Sequence, residues 1–172
     1  GRVLVVVGEE ISPRYNHLLI FGAPKLVLRQ EGDSSQALID RVRELGGLSF
    51  LAHPDHKGTA VFNVPSYRWT DWDATGYTGL GIWDVMTDWQ RRLTSYPRAL
   101  LAYLMPSLAL HGPEPETLRR WDELGRERRV AAIGELDNHD FHRHHLGLDF
   151  SIFPFATAFR LVLTHALLAE PF

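Results

Sequence analysis

The chain has no cysteine in its 172 residues, which excludes disulfide staples, thiolate zinc sites and cysteine nucleophiles. Any metal held here must therefore rest on His, Asp and Glu. Long apolar runs are also missing: none, the one at residues 3–7 included, approaches the ~18 residues that a membrane-spanning helix needs. Neither sign of charge is in large excess, since 18 Lys+Arg face 21 Asp+Glu for a formal charge of −3. That balance gives no broad attraction to phosphate backbones or anionic lipid, so general nucleic-acid binding and membrane association are not expected. Lysine is nearly absent, two residues against sixteen arginines, which suits phosphate forks but also fits a genomic bias. Repeats, low-complexity tracts and linker-like stretches are lacking too. With 45% apolar residues, residues 1–172 are read as a single α/β domain with one core.

Residues 3–7 form a mainly β-branched run that stops at Gly8, the pattern of a strand buried on both faces. Residues 18–21, closed by Gly22, repeat it more weakly. Asp33, Ser34 and Ser35 offer N-caps to a helix whose Leu38, Val42 and Leu45 recur at i, i+4 and i+7 before Gly46 and Gly47 end it. Residues 48–52 read as the next strand. Strand, helix, Gly-Gly, strand in that order predicts a βαβ unit in a parallel sheet covered on both faces by helices. Residues 55–78 predict a long loop whose Tyr67, Trp69, Trp72 and Tyr77 either wall a pocket or pack the loop down. Beyond it the pattern predicts a strand at 80–85, helical material at 87–110 interrupted by Pro97 and Pro106, and a polar helix at 116–129 with Leu118, Trp121 and Leu124 as its apolar stripe. A strand at 130–133 and a covering helix at 155–168 complete the set.

Three predicted strand ends carry groups able to ligate a metal: Glu9 and Glu10 after the first, His53 after 48–52, and Glu135, Asp137 and His139 after 130–133. In α/β sheets and barrels the loops at the carboxyl ends of parallel strands converge on one face, so these residues are expected to meet. Imidazole with carboxylate suits zinc, manganese or iron, and bridging carboxylates suit a cluster of more than one ion. His56, His142, His144 and His145 are read as ordinary loop histidines, and His111 and His165 as structural ones.

The segments Gly8-Glu9-Glu10-Ile11-Ser12, His17-Leu18-Leu19, Gly46 to Pro54 with its Ala-His-Pro, and Gly134-Glu135-Leu136-Asp137-Asn138-His139 follow one another in the order of motifs that resemble the PHP (polymerase and histidinol phosphatase) family. The resemblance implies a distorted (β/α)7 barrel of the PHP type, with metals at its strand ends. It implies two or three divalent ions, zinc, manganese or iron, held by Glu10 as the bridging carboxylate, with Glu9 as its rival, and by His17, His53, Asp137 and His139. It further implies hydrolysis of a small-molecule phosphoester by a metal-activated water, with Glu10, His53 and Asp137 as helpers. Arg68 and Arg143, close in sequence to these residues, are the candidates to clamp the phosphate.

Two departures stand out. The His-x-His strand that opens the family pattern has no counterpart after Gly1, and Gly81 stands where a family strand often carries Glu. The chain is accordingly read as the central and C-terminal part of such a barrel, with the N-terminal strands absent. A cytoplasmic location is expected, with export left open because the start of the protein is not seen. The alternatives are a catalytically silent binding or regulatory domain that has lost its metals, and a metal-dependent carboxylic ester or carbamate hydrolase.

Overall fold

The structure is a computed structural model that describes residues 5–145 and 147–165, without the side chains of 143, 145 and 148. Its centre is a five-stranded sheet in the order β1 (Gly8–Ile11), β2 (Leu18–Phe21), β3 (Leu48–Leu51), β4 (Gly79–Asp84) and β5 (Ala131–Glu135). β1, β2 and β3 pair antiparallel, whereas β3, β4 and β5 pair parallel. The chain is thus α/β with a mixed sheet, and among the described residues the sheet does not close into a barrel.

The first helix behaves as its sequence dictates. α1 (Ser35–Glu44) is capped by Ser34, whose side chain accepts the Ala37 N–H, and it buries Leu38, Ile39 and Val42. Burying each such side chain stabilises the fold by roughly 1.5–3 kcal/mol, and the cap adds about 1 kcal/mol. Gly46, at φ +73°, makes the left-handed exit that a β-carbon would oppose. The expected parallel relation between β2 and β3 is not found: Phe21 pairs with Leu48 and Leu18 with Leu51, antiparallel. The connection returns to the end of β2 at which it left, since Leu48 stands opposite Phe21, and its segment 22–34 is held where Val27 N–H donates to Glu9 Oε1 before α1 begins.

The expected buried strand at 3–7 also fails over its described part. Val5, Val6 and Val7 are 79%, 58% and 86% exposed. Pairing with β2 stops at Gly8 and Phe21 because the chain turns away at Gly22, so among the described residues those valines have no neighbouring strand. The β4–β5 crossover holds α2 (Val85–Gln90), α3 (Tyr96–Leu104), α4 (Pro106–Ala109) and α5 (Pro115–Glu127). Pro97 and Pro106 lie in first turns, where the missing N–H costs nothing, so they start helices rather than interrupt one. Trp121 and Leu124 of α5 pack on the core formed by Leu18, Ile20, Ile39, Leu51 and Leu80. The loop aromatics Trp69 and Tyr77 are buried in this same core, so they pack the loop down.

A hairpin, β6 (Phe141–His145) and β7 (Leu148–Ile152), follows the sheet, so the backbone of His142, His144 and His145, expected in a loop, is in a strand. The covering helix expected at 155–168 is one turn, α6 (Phe155–Ala158); the remainder to residue 165 is not helical, and residues 166–168 lie outside the described ones. In its place an extended strap caps β5: Thr164 Oγ1 accepts the Gly134 N–H at 2.8 Å, and Val162 packs where a Gly134 side chain would stand. Val162 and Thr164 are β-branched and favour this extended path over a helix. No described helix is long and apolar enough to cross a membrane.

Candidate metal centre

Glu10 and Glu9 alternate along β1 and so face opposite sides of the sheet. Glu9 holds the Val27 N–H, while Glu10 lines a cavity of about 520 Å3 together with His17, His53, Asp137 and His139. The choice between the two carboxylates is therefore made by the pleat.

His17 enters from the turn before β2. Its predecessor Asn16 takes φ +63°, a conformation that Asn tolerates, and the Asn16 Oδ1 accepts the N–H groups of Thr70 and Asp71, tying the long loop to this turn. The Ala52 N–H donates to the His17 carbonyl, which fixes the start of the β3 exit beside it. His53 follows at φ +27° and Asp137, after β5, at φ +44°. Non-glycine residues held in this region carry strain, and strain of this kind gathers at functional sites.

The donor atoms of Glu10, His17 and His53 lie within 4.8 Å of one another. Two ligands of one ion at bond lengths of about 2.0–2.2 Å stand no more than ~4.4 Å apart, so only small rotations separate this arrangement from a shared ion. His17 Nδ1 donates to Glu10 Oε1 at 2.8 Å, Ser12 Oγ donates to the same oxygen at 2.8 Å, and His53 Nε2 stands 3.7 Å from it. The His17 Nε2 and His53 Nδ1 atoms are buried with no hydrogen-bond partner among the described residues. An orphaned imidazole nitrogen is costly to bury, and a cation is a partner that satisfies it. The residues therefore fit a metal.

The electrostatics point the same way. Hydrogen bonds from His17 and then His53 hold the Glu10 carboxyl far below the usual carboxylate range, so it is an anion. Burial opposes charge on His53, but the Glu10 contact and the acids Glu135, Asp84 and Asp137 outweigh it and raise the imidazole to about 9. Next to it His56 is pushed down to about 4 by burial and by the charge of His53. His56 is neutral, its Nδ1 accepting the Tyr67 N–H.

Asp137 and His139 line the same cavity without joining the group of three. His139 donates its Nδ1–H to the Asp137 carbonyl at 2.9 Å and stacks on Phe141. Arg68 does not line this cavity; it lines a separate one with Asp55, Glu114 and Glu116. Arg143 has its backbone in β6, and its side chain lies outside the described ones. The cation that does line the candidate site is Arg14, which the sequence pattern did not single out. His142 and His144 are exposed on β6, His144 beside Asp149.

No family model, curated protein or solved structure matches this chain.

Two further carboxyls sit beneath His53. Glu135 is 7% exposed, and its Oε2 accepts the His53 backbone N–H at 2.7 Å. A β-carbon on Gly81 would stand 2.0 Å from that same oxygen, so glycine on β4 is what lets Glu135 reach across from β5. Asp84 caps α2 by accepting the Thr87 N–H, and burial, with the charge of Asp137 added, raises it to about 7. Burial likewise raises Glu135 well above its ordinary value. A glycine inside a strand is a signal of close approach, and Gly81 was the sequence feature that marked this contact.

Proposed function

We propose that this chain is a metal-dependent hydrolase of phosphoesters whose architecture is an open part of a PHP-type distorted barrel. The observation that carries the proposal is the convergence of one carboxylate and two imidazoles, Glu10, His17 and His53, on a cavity that Asp137 and His139 also line. The parallel run β3–β4–β5, ending at His53, Asp84 and Asp137, supports the barrel assignment.

In this proposal Glu10, His17 and His53 hold the metal, with Asp137 and His139 completing its surroundings. Zinc, manganese and iron all suit an N/O donor set of this kind. When bound, such a cation lowers the pKa of a water it holds towards about 7 and neutralises charge on phosphoryl oxygens. Arg14 at the cavity wall pairs with the anionic head group of the substrate. The Asp137 carboxylate takes the proton of the attacking water and returns it to the departing alcohol oxygen. Glu135 holds the strained His53 backbone from below, and Ser12 and His17 hold Glu10 from the side.

Assay with an aryl phosphate, an aryl phosphodiester and an aryl acetate, with and without added manganese, tests this. Phosphate or phosphodiester turnover that a chelator abolishes is expected. Turnover of acetate alone would replace the reaction with carboxylic ester hydrolysis, and no turnover with no metal uptake would leave a silent binding domain.

A further inference from the structure

A second cavity of about 700 Å3 adjoins the candidate metal site, and none of the described residues lining it is charged. Val64, Met86, Gln90 and Phe141 line both cavities, so a single wall separates a polar chamber from an apolar one. The far side is held open by fixed rings. Trp89 donates its indole N–H to the Ala102 carbonyl at 2.9 Å and stands edge-on to Phe153, while Tyr103 stands edge-on to Phe150 at 5.9 Å. The space is a groove open to solvent, with Tyr96 and Leu100 exposed on its rim, and its size falls within the ~300–1,000 Å3 usual for small-molecule pockets.

The two chambers ask for a ligand with two ends. The first offers Arg14 and the imidazoles to an anionic head. The second offers no cation to a further phosphate or carboxylate; its described polar side-chain groups are the Tyr96 and Tyr103 hydroxyls, the Gln90 amide and the Trp89 indole N–H, which is already given to Ala102. Gln90 lines both chambers, and its side chain reaches the His56 imidazole, so the shared wall is polar where the head of such a ligand would join its tail.

We infer that the substrate is the ester of an apolar alcohol or phenol, with its charged head among Glu10, His17, His53 and Arg14 and its hydrocarbon or ring part in the Trp89–Phe150 chamber. The head-group half rests on the proposed hydrolase activity; the apolar half rests on the second cavity. In the reaction the water oxygen bonds to phosphorus, the bond from phosphorus to the ester oxygen breaks, and the apolar alcohol leaves with a proton on that oxygen. Esters carrying a second charged group, such as sugar bisphosphates, are excluded by the same chamber.

The test uses methyl-, butyl- and hexylphosphonate, which cannot be cleaved, titrated into the full chain with manganese by calorimetry. The matching n-alcohols are titrated into chelator-treated protein, with metal content measured on every sample. Affinity is expected to rise roughly three- to fourfold per added methylene in both series, as burial of each CH2 predicts. Ala99→Phe, which intrudes on the second chamber alone, should flatten both series while leaving methylphosphonate affinity and metal content unchanged. A flat alcohol series and a flat phosphonate series in folded wild-type protein overturn the inference, whatever the metal content. Failure to take up metal overturns the hydrolase proposal alone, and the slope of the alcohol series still decides the apolar chamber.

Discussion

Gly81→Ala is the substitution whose cost the structure defines most sharply. The three atoms nearest to an added β-carbon all belong to the Glu135 carboxyl, at 2.0, 2.2 and 2.5 Å. Either Glu135 gives up the His53 N–H and leaves that buried donor unsatisfied, at about 1–3 kcal/mol, or β4 and β5 separate at an overpacking cost of about 1–3 kcal/mol. The expected loss is thus about 1–3 kcal/mol, a fall in Tm of roughly 2–12 °C at about 2–4 °C per kcal/mol for a chain of this size. Glu135→Ala alone orphans the His53 N–H, at about 1–3 kcal/mol. In the double variant the clash has no partner left, so its stability should match Glu135→Ala, which is a coupling of about 2 kcal/mol. Urea unfolding of the four proteins, followed by circular dichroism, measures this. Simple additivity of the two single losses would refute the contact and with it the assignment of Glu135 as the support of His53.

Because His53 stays protonated up to about pH 9, metal uptake at pH 7 should expel about one proton per ion, and apparent affinity should rise about tenfold per pH unit between roughly 6.5 and 8. Calorimetry in two buffers of different ionisation heat reads both, and a flat profile without proton release would contradict the assignment. His17→Ala and His53→Ala should each weaken metal binding at least about hundredfold, whereas His144→Ala, exposed beside Asp149, should leave it unchanged by equilibrium dialysis. The depressed pKa of His56 predicts a stability contribution that is present above its ordinary value of 6.5 and lost as pH falls towards about 4. His56→Gln should flatten that acid limb of the Tm profile, and an unchanged limb would remove His56 as its cause.

Local signals were legible where they were local in cause. The Ser34 cap, the Leu38 and Val42 stripe and the Gly46 exit determine α1 within a dozen residues of chain, and β3, β4 and β5 follow from apolar runs near their observed bounds. Strand direction was not legible, because it depends on the path of segment 22–34 and on one long-range bond from Val27 to Glu9. The run at 3–7 had the right composition for a core strand, but composition cannot supply a neighbour. At the site, Glu10, His17 and His53 were visible as strand-end or adjoining donors and do converge. Arg14 and Asp84 were not visible, since Arg14 reaches the cavity only through the turn after β1 and Asp84 reads equally well as a helix cap. Arg68 is near the candidate ligands in sequence only, because the folding of the long loop carries it to a separate cavity.

Elemental analysis of the wild-type chain, purified without chelator and then offered zinc, manganese and iron in turn, bears most directly on the metal centre. The expected result is one or more equivalents of a divalent ion per chain, lost in Glu10→Ala and His53→Ala variants that remain folded by circular dichroism. Less than about a tenth of an equivalent, with no gain on adding any of the three ions, would contradict it.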